Sequence, residues 1–430
     1  MSDTTENDRV IGRPTDVAQF RLRFLARNRY QLIGATLVAI AIPALVRTEF
    51  ESWPLLRGNM ENSIVATFVA MVFGAYLLRR MTSYPGVRSI SYLLPAFAIS
   101  YGALALFFVL TRLDYSRFQF VASFALALVW FGFVGIVEPM LRRLRLATVP
   151  FGNTDELLQL RQADWVPLRQ TDALPHGVTG VVADLRAETP PDWERFIARL
   201  SLQGVPVYHS KQIFETLTGK VHIEHLSENT FGSLLPSSVY GRFKRLVDLA
   251  AAIVLLPLVA VVSIPVALAI WRERGGPIFF LQQRMGYRGQ PFQIVKFRTM
   301  RDAEGSPSYT EVNDPRVTRV GRLLRRYRLD ELPQIINIIR GEMSWIGPRP
   351  EAIKLAHWYE QEIPFYAYRH IVRPGITGWA QVNQGNVAQI KAATDKLHYD
   401  FFYIKNFSPW LDLLVAAKTV RIVLTGFGSR

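Results

Sequence analysis

The sequence predicts a membrane α-helical plus α/β protein: a four-helix transmembrane N-terminal domain, a small Rossmann-like βαβ domain, and an α+β domain anchored by a re-entrant helix. Three observations lead there. Half of the 430 residues are apolar, and the mean hydropathy is +0.13, which suits a membrane protein with substantial water-exposed parts. Four apolar stretches, at about 31–48, 63–78, 89–111 and 118–140, approach the length that spans hydrocarbon. Beyond them the pattern changes to alternating strand-like runs and helical periods.

Residues 1–30 form a polar segment with Arg21, Arg23, Arg27 and Arg29. It lacks a short apolar core followed by small residues, so it does not read as a secretory signal peptide. The spans and their loops occupy 31–145. Arg79, Arg80 and Arg88 lie between the second and third spans, and Arg142, Arg143 and Arg145 follow the fourth. The other two loops are short and mixed in charge. The positive-inside rule therefore places the N-terminus and everything after Met140 in the cytoplasm.

Residues 146–240 read as the βαβ domain. Strands are expected at 146–149, 178–185 and 205–208, and helices at 191–202 and 211–217. Phe151-Gly152-Asn153 fills the first strand-to-helix turn, but no glycine-rich dinucleotide fingerprint is present. A structural or regulatory module is favoured over a nucleotide site.

Residues 241–430 form the last domain. It opens with an apolar helix at about 244–270 that contains Pro257 and Pro265. Were it to cross the membrane, the 24 Lys and Arg against 14 Asp and Glu that follow Trp271 would lie outside, against the positive-inside expectation. A helix broken at Pro257, entering and leaving on one face, removes the conflict. A hairpin over 278–297 follows, then helices at about 316–329, 332–340, 351–362 and 391–405. The tail 409–425 fits the membrane interface or the core equally well.

The net charge of +15 fits anionic lipid or phosphorylated substrates. Nothing beyond that charge supports nucleic-acid binding. The absence of cysteine excludes disulfides and thiolate metal sites, and the pair His222 and His225 lacks further ligand types for zinc.

Chemistry concentrates at Asp330-Glu331. The pair follows a run of arginines and precedes Pro333 and an apolar segment, which places it at a helix start. The helix dipole there favours ionised carboxylates, suited to a nucleophile or a hard-metal ligand; a plain N-cap and first-turn acid would look the same. Arg316, Arg319, Arg322 and Arg326 recur on one helix face and run into the pair, as a phosphate site would require. Lys296 and Arg298 end a strand in KFRTM, Arg349 sits between two prolines in GPRP, and Arg373 precedes Pro374-Gly375. Several cations held by rigid turns around two acids describe a pocket for a diphosphate and a divalent metal.

KRLVD, GGPIFFLQQRMG, KFRTM, LDELPQ, GEMSWIGPRPE and RPGITGWAQVN occur in this order over about 240–430. Together they resemble the bacterial sugar transferase family, the monotopic polyprenyl-phosphate phosphoglycosyl transferases. The preceding spans and βαβ module resemble its long members, which initiate exopolysaccharide, capsule or O-antigen assembly at the bacterial inner membrane. The resemblance implies transfer of a sugar 1-phosphate, glucose or galactose, from a UDP-hexose to undecaprenyl phosphate with release of UMP. It implies Asp330 as covalent nucleophile, Mg2+ near Asp330 and Glu331, and Glu331 acting on metal or proton. Lys296, Arg298, Arg326, Arg349 and Arg373 would bind substrate phosphate. Asp248 would pair with Lys244 or Arg245 where the re-entrant helix meets the membrane. Membrane lipids are implied partners, and the spans and βαβ module offer surfaces for a homo-oligomer. The competing readings are a catalytically inactive scaffold or regulator and a metal-dependent hydrolase.

Overall fold

A computed structural model describes residues 27–50, 59–83, 89–141, 144–171, 173–222, 236–273, 276–301, 314, 316–384 and 390–425. Most of the N-terminal segment, and Arg88, Arg142, Arg143 and His225, lie outside the described residues. The chain divides into two compact units, Met1–Leu217 and Thr218–Arg430.

In the first unit, α1 (Asn28–Thr36) continues through a π-helical stretch (Leu37–Ala41) into α2 (Ile42–Phe50). Then come α3 (Asn59–Thr82), α4 (Ser89–Thr111) and α5 (Arg117–Leu141). Segments long and apolar enough to cross a membrane, Asn28–Val46, Glu61–Thr82, Tyr92–Thr111 and Arg117–Val137, fall on the four expected stretches. Buried polar groups tie these helices together, as expected where helix association gains little from hydrophobicity. The Ser116 backbone amide donates to Ser63 Oγ at 2.7 Å, Gln119 Nε2 donates to Ile40 O at 3.3 Å, and Trp130 Nε1 donates to Gln31 O at 2.9 Å. A Cβ on Gly34 would lie 2.0 Å from the Trp130 ring, so glycine there lets the indole close on α1.

The rest of the unit is a parallel sheet in the order β2-β1-β3-β4. Its elements are β1 (Arg145–Thr148), α6 (Asp155–Leu158), β2 (Asp164–Pro167), β3 (Gly180–Ala183), α7 (Pro191–Leu202), β4 (Val207–His209) and α8 (Ser210–Thr218). Strand β2 was not expected. It is a half-exposed edge strand bounded by Asp164 and Pro167, so it lacks the apolar run of a buried strand. The Asp184 carboxylate, just after β3, accepts from the Asn153 amide in the turn after β1 at 3.0 Å and from the Arg186 amide of its own turn at 3.2 Å. A side-chain carboxylate thus occupies donors that a nucleotide phosphate would need.

The second unit starts at Thr218, earlier than the expected boundary at 241. Residues just after it are already bound within this unit: Trp379 Nε1 donates to Gly219 O at 2.9 Å, the Val221 amide to His398 O at 3.0 Å, and Lys220 Nζ to Asp395 at 3.0 Å. Helix α9 (Ser238–Arg272) runs 35 residues, with Ser237 Oγ accepting from the Tyr240 amide as its cap. The interruption expected at Pro257 is absent; the helix continues through Pro257 and Pro265. Each proline removes one N–H, and the remaining ladder carries the helix past it. Ala252 packs among Phe292, Ile294, Ile335 and Ile338, whereas Val266 and Ile270 pack on Phe297 and Leu324. Both halves of α9 therefore rest on one unit. The opposite side is bare, with Val254 75%, Val261 67% and Ile264 69% exposed.

The hairpin β5 (Phe279–Met285) and β6 (Pro291–Phe297) forms as expected. Helix α10 (Arg319–Arg326) is shorter than expected because Arg328 takes a left-handed conformation at φ 56° and starts a 3-10 turn, Leu329–Gln334, that leads into α11 (Ile335–Arg340). Strand β7 (Ser344–Ile346), α12 (Ile353–Glu362), a 3-10 turn (Tyr366–Ile371), β8 (Gly375–Thr377), α13 (Trp379–Asn383), α14 (Ile390–Lys405) and α15 (Pro409–Thr425) complete the chain. Leu411, Leu414 and Val415 are fully buried, so α15 packs on the core.

Candidate active site

The acid pair sits inside the 3-10 turn rather than at a helix cap. Leu329 and Leu332, on either side of it, pack against the cluster of Val266, Ile270, Phe297 and Leu324. That packing turns Glu331 inward, where it is 6% exposed. Its Oε1 accepts from Arg349 Nη2 at 2.7 Å and Lys296 Nζ at 3.2 Å. Burial opposes ionisation of Glu331, but the two cations outweigh it and hold the carboxyl well below the usual range. Asp330 goes the other way: burial and the neighbouring Glu331 raise its pKa, against the pull of Lys296, Arg349 and Arg325. The ionisation expected from a helix dipole is reinforced at Glu331 by its two cations and opposed at Asp330 by burial and the neighbouring carboxylate.

Lys296 lies near the end of β6, cross-strand from Phe280. Arg349 is delivered by a turn whose carbonyls are bonded one after another. Pro348 O accepts from the Gly375 amide at 3.0 Å, Arg349 O from Arg369 Nη2 at 2.9 Å, Pro350 O from Arg284 Nη1 at 3.0 Å, and Glu351 O from the Met285 amide at 2.9 Å. Arg369 is itself clamped by Asp400 at 2.8 Å and the Tyr366 hydroxyl at 2.7 Å. Lys396 Nζ donates to Glu351, whose pKa falls to about 2: burial acts to raise it, and Lys396 and Arg369 more than offset that.

Three expected phosphate ligands lie elsewhere. Arg298 falls beyond the end of β6 and turns under α9, where its Nη2 donates to Ile270 O at 3.4 Å. Arg326 is exposed over the Tyr327 ring, 5.7 Å from its centroid. Its neighbour Arg325, about 100° round the helix, faces the pair instead, with Nε donating to Thr299 Oγ1 at 2.9 Å. Arg373 is directed at the end of α11, with Nε donating to Gly341 O at 3.0 Å and its guanidinium over Tyr287. The arginine stripe also breaks, since Arg316 precedes α10 and binds Asp314. The sequence reading missed Arg325 and Arg369; helical phase from buried Leu324 separates Arg325 from Arg326, while no local pattern marks Arg369.

Asp248 anchors α9. It lies 3.7 Å from Lys244 and accepts from Ser344 Oγ at 2.7 Å, while Lys244 also meets Asp412 at 2.7 Å. Arg245 instead donates to Ile339 O at 3.0 Å at the end of α11.

Among these buried charges, Glu331 Oε2 has no partner among the described residues. The arrangement offers one carboxylate held ionised beside another with no charge-paired contact within salt-bridge distance among the described residues, under several fixed cations.

Residues 239–426 match the family described as bacterial sugar transferase. The chain is 43% identical over 403 residues to the UDP-N-acetylgalactosamine-undecaprenyl-phosphate N-acetylgalactosaminephosphotransferase of Aeromonas hydrophila, covering 93% of this chain and 95% of that protein. It is 42% identical over 198 residues to a UDP-glucose:undecaprenyl-phosphate glucose-1-phosphate transferase of Caulobacter vibrioides, covering 45% of this chain and 74% of that one. A protein of the same description from Escherichia coli is 42% identical over 188 residues, covering 43% and 40%.

Proposed function

This chain belongs to the bacterial sugar transferase family, and from that premise we propose that it transfers a sugar 1-phosphate from a UDP-sugar to undecaprenyl phosphate, releasing UMP. The observation that carries the reading is the divided pair. Glu331 is neutralised by Arg349 and Lys296, while Asp330 makes no such contact and is partly exposed. An Asp330 oxygen attacks the sugar-side phosphorus, and the bond from that phosphorus to the bridging oxygen breaks, so UMP leaves with the oxygen. Undecaprenyl phosphate then attacks the same phosphorus, breaks the acyl phosphate bond and returns Asp330 to its carboxylate. Lys296, Arg325 and Arg349 screen the approach of one anion to another.

The donor set fits Mg2+. Glu331 Oε2 is buried without a partner and Asp330 is adjacent, and Mg2+ is commonly held by one or two carboxylates plus substrate phosphates. Among the described residues no cluster of three or more His, Cys, Asp or Glu provides an all-protein cage. When bound, the ion supplies charge neutralisation at the phosphate oxygens.

One likeness, to an N-acetylgalactosamine enzyme, extends over nearly the whole chain, whereas the two glucose enzymes above match less than half of it. UDP-N-acetylgalactosamine is therefore the first donor to test, ahead of UDP-glucose and UDP-galactose. Purified protein with Mg2+ and undecaprenyl phosphate is expected to form a lipid-linked sugar diphosphate from one of these. Sugar phosphate released without lipid would indicate a hydrolase, and no turnover with any donor a scaffold. Protein given donor without lipid should gain the mass of a sugar phosphate on Asp330; full turnover without that adduct would point to direct displacement.

We place the catalytic unit at the cytoplasmic face of the inner membrane, with the continuous helix α9 held along that face by the unit beneath it rather than crossing. The excess of cations beyond Trp271 and the packing of both halves of α9 on one unit support this placement. Cysteine at Trp271 should resist an impermeant thiol reagent added to intact cells; labelling equal to a periplasmic control would refute the placement.

A further inference from the structure

Arg284, on β5, has no role in the reaction described above beyond bonding a turn. The antiparallel register pairs Phe280 with Lys296 and Arg284 with Phe292. Because side chains alternate along a strand, Lys296, Gln282 and Arg284 project from one face of the hairpin. Arg284 also lies close enough to Glu351, Arg349 and Glu331 to feel their charge.

Its bonds account for only part of its capacity. Nη1 donates to Pro350 O at 3.0 Å, while Nε is buried and has no partner among the described residues. A buried guanidinium N–H without an acceptor is costly, which makes an absent acceptor the simplest explanation. Local charge points the same way. Glu351 is met by Lys396 and Arg369. Near Asp330 and Glu331, that leaves two anions facing five cations: Lys296, Arg325, Arg328, Arg349 and Arg284. The surplus is positive where a doubly charged group would have to bind.

We propose that Arg284 is a further binding residue for the diphosphate of the nucleotide donor, contributing its free N–H edge from the hairpin face that also carries Lys296. This rests on the transferase reading. A forked donor suits phosphate oxygens better than a point charge does. The competing role is purely structural, a strap on Pro350 that orients Arg349.

The experiment compares wild type, Arg284→Gln and Arg284→Lys as full-length protein in detergent with Mg2+. It measures KM for donor and for undecaprenyl phosphate, kcat, UDP affinity by calorimetry, and the ligand-free melting temperature. Donor KM and the UDP dissociation constant are expected to rise about tenfold in Arg284→Gln, the loss of one charge-assisted contact. Lipid KM should stay within about twofold, and Arg284→Lys should recover only part of the donor affinity. Should Arg284→Gln fail to fold, Arg284→Lys decides alone, with weakened UDP binding again expected. Unchanged donor KM and UDP affinity would overturn the inference, as would a lower kcat with both KM values intact, the signature of the strap. No turnover by wild type with any donor would refute the transferase reading, and equal UDP affinity of wild type and variants would then overturn this inference separately.

Discussion

Neighbouring carboxyls with opposite tendencies divide the chemistry between them at the residue scale. Glu331 is the ionised structural charge, and Asp330 is the group whose ionised form is strained. Asp330→Asn should lower turnover by roughly 10⁴-fold, in the range seen when an essential nucleophile is removed. It should also raise the melting temperature at neutral pH. A raised carboxyl pKa means the folded state disfavours the charge, and the amide removes it; a lower melting temperature would contradict the electrostatic account. The depressed groups act in the opposite sense. Glu351, at about 2 when folded against 4.5 as its reference value, contributes stability above pH 4.5 that is lost as pH falls towards 2, and Glu331 behaves likewise further down. Thermal melts across that window should show the catalytic unit weakening, and a flat profile would contradict it. Motif and spacing marked Asp330, Glu331, Lys296 and Arg349, which the fold brings together. They could not separate Arg325 from Arg326, which differ only in helical phase, or show that Arg373 reaches the end of α11.

At the scale of elements, the turn carrying Arg349 explains why two glycine- and proline-rich motifs face each other. A Cβ on Gly375 would lie 2.1 Å from the Gly347 amide nitrogen, and one on Gly347 would lie 2.3 Å from Arg373 O. The two loops touch backbone to backbone, which only glycine allows. Gly375→Ala should destabilise the unit by about 3 kcal/mol or more, and should reduce activity by displacing Arg349. Calorimetric unfolding and a transferase assay on one preparation would check both. Helices, the hairpin and the parallel strands β1, β3 and β4 were legible from periodicity and turn residues. Strand β2 and the end of α10 were not, because an edge strand with a proline and a left-handed arginine leave no periodic trace.

On the scale of the molecule, the chain divides at Leu217/Thr218, and the short segment just after that point is held by partners far along the chain. In the parallel-sheet module the Asp184 carboxylate, just after β3, takes up the Asn153 amide of the first strand-to-helix turn and the Arg186 amide of its own turn. The contact of Leu329 and Leu332 with Val266 and Ile270 has a broader consequence. The residues flanking the acid pair stand directly on α9, so in the reaction proposed above α9 acts as a depth gauge: how far it sinks sets the height of Asp330 above the acyl chains. Turnover in nanodiscs of graded acyl-chain length should therefore pass through an optimum, while UDP affinity stays constant. A rate indifferent to bilayer thickness would mean that the lipid phosphate climbs to meet the enzyme.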